Sequence, residues 1–276
     1  MPDHDHDHDA AHAHRHSSAP SSLLETLLDL DALIHGSMID DALDAVAEHT
    51  HPGDVRHVLD VGAGTGSATF RLSHRFAQAR ITALDTSASR TQRIADRALR
   101  EGATGVSTVH RPLSATELAP RSVDLAWASS VFHEFDDPGA AFAVLADLIH
   151  PGGVLAIMEM DSPPWVLPDR HRALERRVRE LAHADSAQPE WTASIRTSGF
   201  ELIEKRTLSS DQMLSVDGPG GDYARAELQR LAAHAGPGLD TDDRAELSRI
   251  LDARADIGAS SVHIRGTRSL WLARRR

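Results

Sequence analysis

The apolar positions in the middle of the chain predict strands and helices in regular succession. Short runs rich in Val, Ile and Leu, typical of buried strands, are separated by longer segments in which apolar residues recur at helical spacing. The predicted strands are 55–61, 80–85, 106–110, 123–128 and 154–159, and the predicted helices between them are 66–78, 87–101 and 138–149. This succession indicates an α/β fold, a doubly wound and mostly parallel sheet with helices on both faces.

Two helices are expected before the first strand. Ser22 and Glu25 have the spacing of a capping box, and apolar residues follow at helical spacing up to Gly36, which suits a helix end. A second helix is predicted from about residue 37 until Pro52-Gly53 ends it. We therefore expect N-terminal helices over 21–50.

The last third of the chain departs from this succession. Strands are predicted at 200–208 and 262–273, and helical segments at 169–198 and over the insertion 209–261. Gly-Pro-Gly sequences at 218–220 and 236–238 interrupt the insertion. The apolar residues of this insertion need a surface to pack against, and we expect them to cover the edge of the sheet where ligands bind. A second subunit is the alternative, which would make the protein a homodimer.

Composition narrows the function. The 276 residues include no cysteine, which excludes disulfide bonds, thiolate metal sites and cysteine nucleophiles. A net charge of −12 argues against a nucleic-acid partner, because phosphate binding needs a basic face. No apolar run approaches the roughly 18 to 20 residues of a membrane span, and the acidic start is unlike a signal peptide. We expect a cytoplasmic protein with no membrane partner.

Residues 1–20 form a compositional block of their own. Six of the 18 histidines lie there, interspersed with Asp and Ala. Such a segment cannot bury enough apolar surface to fold, so we expect a disordered tail in front of one domain over 21–276. Histidines spaced two apart can take up Zn²⁺ or Ni²⁺ adventitiously, and we predict no functional metal site.

A glycine-rich turn follows the first predicted strand. The run Gly62-Ala63-Gly64-Thr65-Gly66 lies where that strand leads into a helix, and Asp60 precedes it within the strand. Glycines there allow a tight turn and let a nucleoside approach the backbone. Asp85 ends the second strand, where a carboxylate can accept hydrogen bonds from both hydroxyls of a ribose.

This combination resembles the class I S-adenosylmethionine (SAM)-dependent methyltransferases. The resemblance covers roughly 37–208, including the turn Pro151-Gly152-Gly153, and returns at 262–274. It implies a Rossmann-like sheet of seven strands with an antiparallel last strand. It also implies transfer of a methyl group from SAM to an acceptor, a small metabolite in our interpretation, with S-adenosylhomocysteine as product.

The resemblance also implies which residues bind the cofactor. Asp60 and the loop would hold the methionine part, and Asp85 with Thr86 would hold the ribose. The family often has an acid after the third strand near the adenine, and Ser114 occupies that place here. The full set of implied cofactor-binding residues is Asp60, Gly62, Ala63, Gly64, Thr65, Gly66, Asp85, Thr86, Ser114 and Ala128.

Two other functions remain open at this point. A nicotinamide-dependent oxidoreductase would have G-x-G-x-x-G, but Ser67 occupies the position of the third glycine. A non-catalytic protein of the same fold could bind SAM or a partner without turnover.

The segment after the fourth strand supplies candidates for chemistry. His133 and Glu134 follow that strand at the edge of the sheet where ligands bind, and either could accept a proton from an acceptor hydroxyl or amine. The run Ser162-Pro163-Pro164-Trp165 resembles a motif of nucleic-acid methyltransferases but follows the fifth strand instead of the fourth. The arginines of 170–179 alternate with acids and predict a solvated helix face.

Overall fold

A computed structural model describes residues 21–182, 190–236, 238–252 and 260–276. The histidine-rich tail lies outside the described residues, so its predicted disorder and metal uptake remain predictions. None of the helices in the described ranges is long and apolar enough to span a membrane.

Seven strands form one sheet in the order β3-β2-β1-β4-β5-β7-β6. Strands β1 to β5 are parallel to one another, whereas β7 runs antiparallel to both β5 and β6. The sequence-based prediction of a mostly parallel seven-stranded sheet with an antiparallel last strand is confirmed. The strands are β1 (His57–Val61), β2 (Arg80–Asp85), β3 (Val106–His110), β4 (Val123–Ser129), β5 (Ile149–Trp165), β6 (Phe200–Ser215) and β7 (Ser261–Arg275).

The helices lie on both faces of this sheet and beyond its end. They are α1 (Ser21–Ile34), α2 (Gly36–His49), α3 (Ser67–Arg75), α4 (Ala88–Glu101), α5 (Pro138–Leu148), α6 (Arg172–Ala182), α7 (Thr192–Thr197), α8 (Pro219–Ala235) and α9 (Thr241–Asp252). Side chains of α2 and α3 share one apolar cluster with Val58 and Trp127, and those of α5 and α7 share another with Leu59 and Ala128. Successive strand residues thus face opposite sides of the sheet.

The strand lengths differ from the prediction at the carboxyl end of the sheet. Strand β5 continues to Trp165, and β6 and β7 stay paired as far as Ser215 and Ser261. Residues 209–215, predicted as part of a helical insertion, therefore extend β6, and in the described part of that segment helices occupy 219–235 and 241–252. Cross-strand pairing along the hairpin overrides the local helical pattern, because each added pair satisfies backbone donors and acceptors.

A third apolar cluster covers the extended ends of β6 and β7. Leu27 and Ile34 of α1 meet Leu228 and Leu231 of α8 there, together with residues of α6 and α9. The apolar face of the insertion is therefore buried within this chain, which removes the reason to expect a dimer through that face. Gly36 begins α2 instead of ending α1, and the turn at His35 separates the two helices.

The arginine-rich helix α6 is not a solvated face along its whole length. Glu175 is fully buried, and its two carboxylate oxygens accept hydrogen bonds from the backbone N–H groups of Val166 and Leu167, both at 2.9 Å. Arg179, one turn later, donates to Glu175 at 2.7 Å and lies over the ring of Trp165. The i,i+4 spacing does make the predicted ion pair, but the pair is in the interior.

We predict that Glu175→Ala lowers the free energy of unfolding by about 3 kcal/mol, because it leaves two backbone donors and a buried guanidinium without this carboxylate. Urea denaturation measures the change. Glu180→Ala, at an exposed position of the same helix, is the control and should alter the free energy by less than about 0.5 kcal/mol. Equal effects of the two substitutions would contradict a structural role for Glu175.

Candidate functional site

The turn after β1 has a backbone that only glycine adopts without strain. Gly62, Gly64 and Gly66 have φ values of +64°, +55° and +86°. A Cβ at Gly62 would stand 2.3 Å from Cγ2 of Val131, and one at Gly66 would stand 2.8 Å from Cγ1 of Ile94. Conformation therefore favours glycine at all three positions, and close packing requires it at Gly62 and Gly66 as well.

Asp85 joins this turn to the start of α4. Its Oδ2 accepts a hydrogen bond from the N–H of Gly64 at 2.8 Å, and its Oδ1 accepts one from the N–H of Ser87 at 2.8 Å. Arg90 lies 3.8 Å from Oδ1. A carboxylate oxygen accepts more than one hydrogen bond, so Asp85 can hold these two loops and still accept from a ligand.

Asp60 lies beneath the turn without a cationic partner among the described residues. It is buried, and its Oδ2 accepts a hydrogen bond from the hydroxyl of Thr69 at 2.6 Å. Burial raises the pKa of Asp60 to about 7, with a smaller contribution from the charge of Asp85, against the effect of Thr69. Two carboxylates thus face one loop, and a cationic ligand would compensate their charge.

Helix α1 lies over the glycine turn. Cδ1 of Leu28 is 3.5 Å from the place that a Cβ on Gly64 would take. Glu25 of α1 accepts a hydrogen bond from the hydroxyl of Ser89 at 2.9 Å, and Asp29 forms an ion pair with Arg93 of α4. A cavity of about 310 Å³ remains beside the turn; its lining residues are Asp29, Ala32, Leu33, Thr65, Ser67, Arg71, Arg93, Arg97 and Arg100.

Glu159, a buried acid within β5, holds the turn after β4 through hydrogen bonds. Oε1 of Glu159 accepts hydrogen bonds from the N–H groups of Val131 and Phe132 at 3.2 and 2.8 Å. Its Oε2 is 2.8 Å from Nδ1 of His133. Sequence reasoning predicted the end of the strand at this residue but missed its role; an acid at the carboxyl end of a parallel strand, as at Asp85, was the available signal.

His133 is held as a cation between two carboxylates. Its Nε2 is 3.1 Å from Oε1 of Glu134, and its Nδ1 contacts Glu159. Burial disfavours the charged ring, but the hydrogen bonds and charges of Glu134 and Glu159 outweigh burial and raise the pKa of His133 to about 10. An imidazolium donates from both nitrogens and cannot take a proton, so this arrangement does not supply the general base suggested by the sequence.

The other residues that the resemblance implies in cofactor binding do not all lie at the glycine turn. Thr86 and Ser114 are exposed at the ends of β2 and beyond β3, on the side where an adenosine would extend. Thr65 is buried within the turn, and the N–H of Ala63 donates to the carbonyl of Leu84 at 3.0 Å. The side chain of Ala128 lies in the apolar core, so it contributes packing beneath the site and no ligand contact.

One group of side chains elsewhere has the spacing of metal ligands. Glu48, His49 and Glu204 bring one potential ligand atom each within 4.8 Å of one another. Arg206, however, donates to both carboxylates, at 3.0 Å to Glu48 and 2.6 Å to Glu204. The charge of Arg206 takes the place of a metal ion, and the group is an ion-pair network.

Comparisons with known proteins agree with this architecture. Residues 59–155 match the model of a methyltransferase domain family. Among curated proteins, a trans-aconitate 2-methyltransferase from Paracidovorax citrulli is 35% identical over 170 residues, which are 58% of this chain and 58% of that protein. The chain spans about half the length of the curated relatives it matches.

Solved structures share the fold at low identity. The (4+2)-cyclase SpnF is 19% identical, with a TM-score of 0.55 over 94% of this chain and 96% of its own. A phosphoethanolamine N-methyltransferase of Haemonchus contortus, in complex with phosphomonomethylethanolamine and S-adenosylhomocysteine, is 13% identical, with a TM-score of 0.50 over 86% of this chain and 52% of its own. At these identities the similarity establishes the fold alone.

We predict that His133→Gln destabilises the protein most at low pH. The pKa of His133 is raised from 6.5 to about 10, so the stabilisation is fully present below pH 6.5 and is lost as the pH rises through 10. The difference in melting temperature between wild type and variant should shrink steadily over this range. His74→Gln, at an exposed position of α3, is the control; a pH-independent difference for His133→Gln would disprove the ion pair.

Proposed function

We propose that this chain, which belongs to the class I SAM-dependent methyltransferase family, transfers a methyl group from SAM to a small-molecule acceptor. The observation that carries the proposal is the pairing of the glycine turn with the carboxylates of Asp60 and Asp85. Both the conformation of the turn and its charge fit the methyl donor.

The charge of the site separates SAM from a nicotinamide dinucleotide. SAM carries a sulfonium and an ammonium group, whereas the diphosphate of a dinucleotide is anionic. Asp60 is buried beneath the turn with no described cation beside it, which favours a cationic ligand and opposes a diphosphate. The residues that would hold SAM are the turn Gly62–Gly66 with Asp60 at the methionine end, and Asp85 at the ribose.

Bound SAM supplies an activated methyl group, whose carbon bonds to a lone pair of the acceptor as the carbon–sulfur electron pair returns to sulfur. The protein therefore has to align donor and acceptor and exclude water. Glu159 fixes the turn after β4, and with it Val131 against Gly62. His133 and Glu134 at the same edge can orient an acceptor through charge.

Helices outside the sheet enclose the acceptor side in this proposal. α1 lies over the glycine turn, and α8 of the insertion packs on α1 through Leu228 and Leu231. We propose that α1 and α8 together cover the acceptor, and that residues 1–20 are an appendage without a catalytic role. The Paracidovorax relative is named as a trans-aconitate 2-methyltransferase, and this name favours an acidic acceptor. SpnF is named as a cyclase, so methyl transfer by this chain has to be tested directly.

We predict that the protein binds SAM and S-adenosylhomocysteine but not NAD. Asp85→Ala should weaken SAM binding about tenfold or more, because hydrogen bonds to a carboxylate contribute roughly 1.5–3 kcal/mol each. Isothermal titration calorimetry gives the dissociation constants, and release of S-adenosylhomocysteine with candidate acceptors tests turnover. Asp96→Ala, at an exposed position on α4, should leave SAM affinity unchanged. Binding of NAD, or full affinity in Asp85→Ala, would contradict the proposal.

We also predict that SAM binding releases protons near neutral pH. The pKa of Asp60 is about 7 in the free protein, and a bound cation lowers it, so the protonated fraction gives up its proton. Calorimetry at pH 7 in buffers of different ionisation enthalpy should report release of roughly half a proton. Asp60→Asn should abolish this release. Proton uptake, or identical release in the variant, would show that no cation binds beside Asp60.

A further inference from the structure

A second polar cluster lies next to the glycine turn, and the chemistry described above does not use it. Asp31 near the end of α1, His35 between α1 and α2, Tyr223 of α8 and Arg268 of β7 form this cluster, here named the Arg268 cluster. His35, Tyr223 and Arg268 are 1%, 2% and 3% exposed. A charged group and two hydrogen-bonding rings are thus buried together between three separate elements.

The contacts in the Arg268 cluster are close and specific. The guanidinium of Arg268 forms an ion pair with Oδ2 of Asp31. The rings of His35 and Tyr223 meet edge to face, with centroids 6.0 Å apart. Gly266 leaves room for the imidazole, since a Cβ there would stand 3.2 Å from Cε1 of His35. Gly266 and Arg268 lie two residues apart on β7 and share one face of the strand.

Hydrogen bonding in this cluster is incomplete among the residues that the structure describes. Neither ring nitrogen of His35 has a partner there, and neither does Oδ1 of Asp31. The guanidinium of Arg268 makes its one described hydrogen bond to Asp31, and the hydroxyl of Tyr223 makes none within the described ranges. Buried polar groups are normally satisfied, so a concentration of exceptions indicates a missing partner.

The missing partner must supply acceptors. The guanidinium has several N–H groups, and Tyr223 and His35 add one donor each, whereas Oδ1 of Asp31 is the carboxylate acceptor left over. Burial lowers the pKa of His35, so this ring is neutral and donates from one nitrogen. An anion with two oxygens, a carboxylate, matches a planar guanidinium flanked by two further donors.

The Arg268 cluster lies close to the candidate SAM site. Leu28 faces the glycine turn one helical turn before Asp31, so α1 contributes to both places. Burial opposes the charge of Arg268, but nearby charges, Asp31 foremost and Glu159 among them, raise the pKa of Arg268. Glu159 in turn holds the turn after β4. The cluster therefore borders the same edge of the sheet as the candidate SAM site.

We propose that the Arg268 cluster binds a carboxylate group of an anionic acceptor, and that this carboxylate takes the place of Asp31 on the guanidinium. The proposal rests on the proposed function and names the class of its acceptor, a small di- or tricarboxylate. Arg268 supplies the charge, and His35 and Tyr223 supply the flanking donors. Asp31 occupies the guanidinium while no acceptor is bound.

A carboxylate acceptor also fits the protonated state of His133 at the edge of β4. An ionised carboxylate oxygen brings its own lone pair to the methyl carbon and loses no proton, so the transfer balances without a base. His133, held as an imidazolium with its ring nitrogens on Glu134 and Glu159, would be a poor base and would act on such an acceptor through its charge.

The test is a titration of the full chain with trans-aconitate, a small tricarboxylate, with and without S-adenosylhomocysteine present. Its neutral trimethyl ester is the matched ligand control. We expect saturable binding of the acid and none of the ester. Arg268→Met should weaken binding about tenfold or more, as expected for loss of a charge-assisted hydrogen bond. Arg274→Met is the matched control, because Arg274 also lies on β7 but donates to Gly152 and His49.

Asp31→Asn distinguishes the proposal from a purely structural ion pair. If Asp31 competes with the acceptor, the variant should bind trans-aconitate several-fold more tightly. If the pair only stabilises the fold, the variant should melt at a lower temperature and bind no better. Tyr223→Phe keeps the packing and removes one donor, so it should weaken binding several-fold. It decides the question if Arg268→Met does not fold.

Each outcome bears on one proposal. Carboxylate binding that does not depend on Arg268 and Tyr223, or no binding of trans-aconitate to a protein that binds SAM, overturns the assignment of this cluster and leaves the proposed function intact. Arg268-dependent binding of the carboxylate by a protein that binds no SAM keeps the anion site and overturns methyl transfer.

Discussion

The carboxylate of Asp85 is the contact on which the arrangement of the site depends. It binds the backbone of Gly64 in the turn after β1 and that of Ser87 at the start of α4. This side chain, together with the hydrogen bond from the N–H of Ala63 to the carbonyl of Leu84, holds the turn against the end of β2 and the start of α4. Leu28 of α1 then rests on the turn, and α8 rests on α1. The positions of α1 and α8 therefore depend on the contacts of Asp85 at the edge of the sheet.

Two buried acids close to this edge differ in how their charge is compensated. Glu159 has two backbone donors and the His133 imidazolium. Asp60 has one hydroxyl donor, and burial, with a smaller contribution from the charge of Asp85, raises its pKa to about 7. Since burying a carboxylate without a partner opposes folding, an uncompensated acid is tolerated only where a ligand completes it. The compensated acid fixes the turn after β4, and under the proposed function the uncompensated acid would face the cationic end of SAM.

The sequence predicted the centre of the sheet well because strands β1, β2 and β4 and residues 154–159 of β5 are buried on both faces and have apolar runs with clear turns between them. The glycines and Asp85 were found for the same local reason, since turn and strand end are contiguous in the chain. The extension of β6 to Ser215 was missed because it depends on a partner strand 46 residues away, at Ser261. The protonation state of His133 could not be predicted because it depends, besides the neighbouring Glu134, on Glu159, which is remote in sequence and 2.8 Å away in space.

The Arg268 cluster was out of reach of the sequence because its four members come from α1, the turn before α2, α8 and β7. Only the fold shows that α1 contacts both the glycine turn, through Leu28, and the guanidinium of Arg268, through Asp31. The ties from α1 to α4, Asp29 to Arg93 and Glu25 to Ser89, are half-exposed and contribute little to stability. Under the two proposals α1 would contact both ligands, since it borders the glycine turn and carries Asp31. Binding free energies at the two positions are then coupled, and the coupling is reciprocal.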